Sequence, residues 1–167
     1  MNSKVYFISD THFGHANAIV YCNRPFVDTD EMDKAMISKW NNTVAKHDKV
    51  YFLGDFAMTT NKERLAEWFK QLNGNIYMVK GNHDCRKNNF YREIGFKEVY
   101  DKPILYSEFY ILSHEPVRLY DNTPYINIHG HLHNEIMTGG KYFNAGVDVN
   151  NFTPVLFTDI VKLFNNG

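Results

Sequence analysis

One junction recurs along this chain and limits what it can fold into: an apolar, strand-like run stops at a residue able to bind metal, with a small residue beside it. The first instance is Phe7-Ile8-Ser9-Asp10-Thr11-His12-Phe13-Gly14-His15. Others end in Gly54-Asp55, Gly81-Asn82-His83-Asp84, Ser113-His114 and His129-Gly130-His131-Leu132-His133. In α/β architectures, loops and their side chains gather outside the carboxyl ends of the strands. A single histidine after a strand is ordinary, and His47 is read as a surface residue. Five strand ends that all finish in Asp, Asn or His imply convergence on metal. Glycine beside a ligand lets the backbone turn sharply and come close to the ion.

The runs between these junctions set the fold. Residues 4–9 read as a strand covered on both faces. A helical turn at 17–21 precedes a break at Arg24-Pro25-Phe26. Asp28 and Glu31 form a capping box for a helix of about four turns. Met32, Met36, Trp40 and Val44 mark its buried face, and Asp33, Lys34 and Lys39 its polar one. A second strand at 49–53 ends in Gly54-Asp55. Thr60 and Glu63 then cap a helix with Leu65, Trp68, Phe69 and Leu72 inward and a stop at Asn73-Gly74. Residues 75–79 are a third strand and 88–94 a helix closed by Gly95. This alternation favours parallel strands joined by helical crossovers.

After Lys97 the pattern changes. Strand-like runs at 98–100, 104–106, 109–112 and 125–128 crowd together with little helical period, as a second, mixed or antiparallel sheet requires. More strands are expected at 141–144 and 155–157, a helical turn or strand at 159–164, and a frayed end at 165–167.

With 167 residues, 44% of them hydrophobic and 22% charged, the chain reads as one domain, 1–167, that buries a core without disulfides. Cys22 and Cys85 match no metal spacing and read as free thiols. No run suits a membrane span or a secretory signal, so a cytoplasmic protein with no membrane partner is expected. A net charge of -1 argues against a general grip on nucleic acid, though not against a nucleotide. The expected partner is a small phosphate ester, and monomer and homodimer stay equally open.

Asp10, His12, Asp55, Asn82, His114, His131 and His133 are the candidate ligands. Imidazole, carboxylate and amide without thiolate suit divalent transition metals: manganese first, with iron, zinc, nickel or cobalt as alternatives. They are too many for one ion and suit two ions sharing a carboxylate.

As a set, D-x-H, G-D, G-N-H-D, a lone H after a strand and G-H-x-H resemble the motifs of the calcineurin-like metallophosphoesterase superfamily, in that family's order from Asp10 to His133. Asn144-Ala145-Gly146-Val147-Asp148 and Phe13-Gly14-His15 further resemble small bacterial and phage members. The resemblance implies a four-layer α-β-β-α sandwich of two mixed sheets flanked by helices. It also implies that Asp10, His12 and His133 hold one metal, that Asn82, His114 and His131 hold the other, and that Asp55 bridges them. A hydroxide shared by the metals would be the nucleophile, His83 the general acid, and Asp84 the group that orients His83.

The sequence departs from the family in one place. Many relatives continue the second motif as G-D-x-x-x-R, whereas this chain has Thr59 at that position. His15 and Arg86 are the candidates to supply the missing substrate contact. Losing a cation favours a phosphodiester, about one negative charge, over a monoester with about two. The expected function is a dinuclear phosphodiesterase, with a phosphomonoesterase as the nearest alternative and a catalytically weak protein-binding scaffold as the alternative of another class.

Overall fold

Residues 3–165 are described by a computed structural model. The terminal Asn166-Gly167 of the expected frayed end lie outside them. The chain opens with β1 (Val5–Ile8), α1 (Ala16–Tyr21), α2 (Thr29–Thr43), β2 (Lys49–Phe52), α3 (Lys62–Phe69), β3 (Asn75–Val79), α4 (Asn88–Ile94) and β4 (Glu98–Tyr100). It continues through β5 (Ile104–Tyr106), β6 (Tyr110–Leu112), β7 (Ile126–His129), β8 (Tyr142–Asn144), β9 (Val155–Leu156) and α5 (Phe157–Asn165).

Two mixed sheets result, as the sequence implies. The first has the order β4-β3-β2-β1-β9, in which β9 alone runs antiparallel to its neighbour. The second has the order β5-β6-β7-β8, with β5 antiparallel. Side-chain alternation divides the core between the two faces of the first sheet. Tyr6, Ile8, Val50, Phe52, Ile76 and Met78 pack with Met32, Met36 and Trp40 of α2 and Leu65 and Trp68 of α3. Phe7, Leu53 and Val79 face Tyr110, Leu112 and Ile128 of the second sheet, and Ile160 of α5 joins them. Over the outer face of the second sheet runs an irregular segment that donates from Val117 N to Asn127 and from Leu119 N to the Tyr142 hydroxyl.

Two local readings need correction, and one open alternative closes. The cap of α3 is Asn61, whose side chain accepts from Arg64 N at 2.8 Å, in place of Thr60. Asp33 belongs to the buried side of α2, because its carboxylate accepts the N–H of Gly14 at 3.0 and 3.1 Å. Residues 159–164 are helical, within α5.

Candidate metal centre

The parallel strands of both sheets present their carboxyl ends to one edge of the sandwich. β1 leads into Asp10 and His12, β2 into Asp55, and β3 into Asn82 and His83. From the other sheet β6 leads into His114, and β7 into His131 and His133. Asp10, His12, Asp55, His131 and His133 all have positive φ, between 48° and 69°. A left-handed residue at a strand end reverses the chain within one step and throws its side chain back over the edge. Asp and His accept that conformation better than most residues. Gly81 and Gly130 let the backbones close in, since a methyl at Gly81 would overlap Asp55 Oδ1 and one at Gly130 would overlap Ser9 Oγ and Asp10 Oδ2.

Ligand atoms collect in two groups about Asp55. Asp55 Oδ2 lies 3.6 Å from His12 Nε2 and 3.4 Å from His114 Nε2. On one side Asp10, His12 and His133 bring a ligand atom each within 4.8 Å of one another, as do Asp10, Asp55 and His114. On the other, Asn82 Oδ1 is 2.9 Å from His114 Nε2 and 3.1 Å from His131 Nδ1. The Nδ1–H of His114 donates to the Leu53 carbonyl at 2.8 Å, which orients the ring with Nε2 toward Asp55 and Asn82. Acceptors aimed at one point repel unless a proton or a metal cation lies among them.

Unmet hydrogen-bonding groups carry the same message. Asp10 Oδ1 and both ring nitrogens of His12 are buried without a partner among the described residues. Such atoms are rare in native proteins, and an ion is one of the ordinary explanations. Asp10 Oδ2 has a partner, the N–H of His131 at 2.9 Å. Burial pushes the Asp10 carboxyl above its usual range despite the opposing pull of His114 and His133. Burial likewise drives His12 down to about 3, so its imidazole is the neutral, ligating form. Asp55 feels burial too, but the hydrogen bond and charge of His114, with lesser help from His83 N–H and His12, carry it below the usual carboxylate range.

The donor set fits divalent transition metals, and comparison with known proteins shows the family. A family model described as calcineurin-like phosphoesterase matches residues 3–164. The chain belongs to that family. It is 41% identical over 174 residues to an uncharacterized protein of Methanocaldococcus jannaschii, covering 98% of this chain and 93% of the relative. The Gene 66 protein of Mycobacterium phage D29 is 33% identical over 93 residues, 54% of this chain and 45% of that one. Among solved structures, a protein of unknown function from Aquifex aeolicus superposes with a TM-score of 0.74 at 28% identity, over 97% of this chain and 100% of that chain. A nuclease of Pseudomonas putida shares the fold, with a TM-score of 0.53 at 20% identity over 77% of this chain and 61% of its own. Membership in the calcineurin-like phosphoesterases makes metal-dependent phosphoester hydrolysis the chemistry of this site, and that family typically binds two divalent metals.

Beside the ligands stands His83. Its Nε2 is 4.0 Å from Asp55 Oδ2, its N–H donates to Asp55 Oδ1 at 2.9 Å, and its ring is 43% exposed toward a cleft of about 400 Å³. His15 lines the same cleft, its ring 5.6 Å from that of His12.

Two expected roles are not supported. Asp84 does not orient His83, because its buried carboxylate accepts the backbone N–H groups of Asp55, Gly81 and Phe56 at 2.7, 2.9 and 3.3 Å. It ties the β2 and β3 loops together, and burial pushes its pKa up to about 6 against those bonds. Arg86 is drawn away, its guanidinium 5.7 Å from the Phe90 ring and outside the clefts that touch the ligands.

The sequence reading missed the group behind His133. Asp148 Oδ2 accepts from His133 Nδ1 at 2.8 Å, and that bond is the main reason His133 is pushed up to about 10. Arg24 grips Asp148 through Nε and Nη2 at 2.7 and 3.1 Å. The same guanidinium donates to the carbonyls of Asp10 and Thr11 at 2.8 and 2.9 Å, so one cation fixes both arms of the first ligand group. Asp148 lay within a recognised motif, but Arg24 sits in a loop read only as a break, and no local signal marks it.

Proposed function

We propose that this calcineurin-like phosphoesterase is a phosphodiesterase acting on a nucleotide or another small phosphodiester, with two divalent cations as its cofactor and manganese first among them. The observation that carries the reading is Asp55 Oδ2, 3.6 Å from one candidate ligand group and 3.4 Å from the other, with His83 beside it at the mouth of the cleft. Bound in these groups, the cations supply Lewis acidity and activate the attacking water.

The chain's own residues do the rest. Asp55 and Asp10 set the charge of the site, while Asn82, His114, His131, His12 and His133 add neutral donors, so the loaded site stays cationic and attracts a phosphate ester. His83 donates a proton to the departing oxygen, a role worth about 10²- to 10⁴-fold in rate. The cleft on the His83 side supports a diester preference. Among the described residues no lysine or arginine lines it, and Thr59 occupies the position where many relatives place an arginine. A monoester's second negative charge finds no partner there, whereas a second ester group finds room.

The test compares bis- and mono-p-nitrophenyl phosphate across manganese, iron, nickel, cobalt and zinc, with His83→Ala and Asn82→Ala as controls. Faster diester cleavage, lost in both variants, is the expected result. Faster monoester cleavage with every metal would make the protein a phosphomonoesterase. No turnover on either ester would favour the scaffold reading.

A further inference from the structure

The two ligand groups open into two unlike clefts. The cleft beside Asn82 and His114, about 430 Å³, has a mixed lining without an aromatic side chain and includes Lys80, which is paired with Asp101 at 2.9 Å. The cleft beside His12 and His133, about 400 Å³, has an apolar wall of Ala18, Tyr21 and Leu132. His83 lines this second cleft. If His83 protonates the departing oxygen, whatever hangs from that oxygen must enter the same cleft.

We infer that the cleft walled by Tyr21 and Leu132 is the leaving-group subsite, and that it takes a nucleoside whose base stacks on Tyr21. The inference rests on the phosphodiesterase reading above and adds the substrate's class and orientation to it. Tyr21 is 78% exposed at the end of α1, an aromatic face left open at the edge of an active-site cleft. The helix end that carries it is held in place, since the side chain of Asn134 donates to the Cys22 carbonyl at 2.9 Å and ties the end of α1 to the loop after His133. Around the apolar wall stand polar groups from Asn134, Glu135 and His15, and His15 Nδ1 is buried without a partner among the described residues. An alkyl chain would leave those groups unanswered. A flat ring with donors and acceptors on its edge uses both the wall and the rim, and base-on-aromatic stacking tolerates any base.

In the reaction the oxygen of water joins phosphorus and the bond from phosphorus to the nucleoside oxygen breaks. That oxygen takes the proton of His83, and a proton of the attacking water restores the imidazole. Thymidine 5′-methyl phosphate tests the orientation within one molecule, because hydrolysis releases either thymidine with methyl phosphate or thymidylate with methanol. The initial product ratio is independent of the fraction of active or metal-loaded protein.

The wild type should release mainly thymidine. Tyr21→Ala should shift the ratio about tenfold toward thymidylate, and Tyr21→Phe should keep it. Mainly thymidylate from the wild type, or an unchanged ratio in Tyr21→Ala, would overturn the inference. If neither this ester nor bis-p-nitrophenyl phosphate is cleaved, the phosphodiesterase reading has failed, and thymidine binding to the manganese-loaded protein decides the subsite. Binding weakened about tenfold by Tyr21→Ala supports it, and no binding removes it.

Discussion

Each left-handed residue in the centre stores strain, of order 1–3 kcal/mol for a non-glycine position. Five such residues, Asp10, His12, Asp55, His131 and His133, adjoin one another at this edge. Strain of that kind persists only where neighbours over-determine the conformation, so the glycines and backbone clasps around the ligands belong to the site as much as the ligands do. Gly81 is the sharpest case, because a methyl there meets Asp55 Oδ1 and displaces the carboxylate between the two groups. Gly81→Ala should retain its circular dichroism but bind manganese less tightly, with fewer ions per chain by elemental analysis. His83→Ala should behave in the opposite way. It should keep full metal content and lose about 10²- to 10⁴-fold in kcat on bis-p-nitrophenyl phosphate. A His83→Ala protein that also lost its metals would demote His83 from proton donor to structural support.

The elements that carry these residues depend on a contact between distant loops. Arg24 lies between α1 and α2, and Asp148 follows β8; their side chains are 0% and 1% exposed, and Nε lies 2.7 Å from Oδ1. Removing one member of a buried pair leaves the other charge uncompensated, at about 3–5 kcal/mol. Asp148 keeps its bond from His133, so Arg24→Ala should lose somewhat less than that in urea denaturation of the metal-stripped protein. It should also weaken manganese binding about 10- to 100-fold, as loss of the group behind a ligating histidine does. Normal metal affinity in Arg24→Ala would show that Asp148 orients His133 unaided.

The same contact shows where sequence reading stops. The face of α2 given by Met32, Met36, Trp40 and Val44 was legible because its spacing is local, and so were the strand ends with their ligands. Asp33 was misread as solvent-facing because its partner, the Gly14 N–H, comes from another loop. Asp84 was misassigned for the same reason: its three backbone partners lie on loops that meet only in the folded chain. Arg24 and Asp148 are 124 residues apart, and no period or motif links them.

At the scale of the whole molecule the metal centre is a seam. Asp10, His12, Asp55 and Asn82 follow strands of the first sheet, while His114, His131 and His133 follow strands of the second. Each ligand group draws on both sheets, so cations bound there clamp one sheet to the other at the edge where the inter-sheet core of Phe7, Leu53, Leu112 and Ile128 ends. Stripped of cations, that edge holds two buried carboxylates, and the charge of Asp55 helps to push Asp10 up. Binding to the folded chain alone stabilises it by about 2.7 kcal/mol when free metal is 100 times its dissociation constant. For a domain of this size each kcal/mol moves Tm by roughly 2–4 °C. Chelator-treated protein should therefore melt roughly 5–10 °C lower, for each ion lost, than the same protein with manganese restored, and Asn82→Ala should show a smaller difference. Hydrogen exchange should locate the effect, with manganese slowing amides at the carboxyl ends of β1, β2, β6 and β7 together. Protection confined to one sheet would mean that the ions bind on a single side of the seam and that Asp55 does not join the two groups.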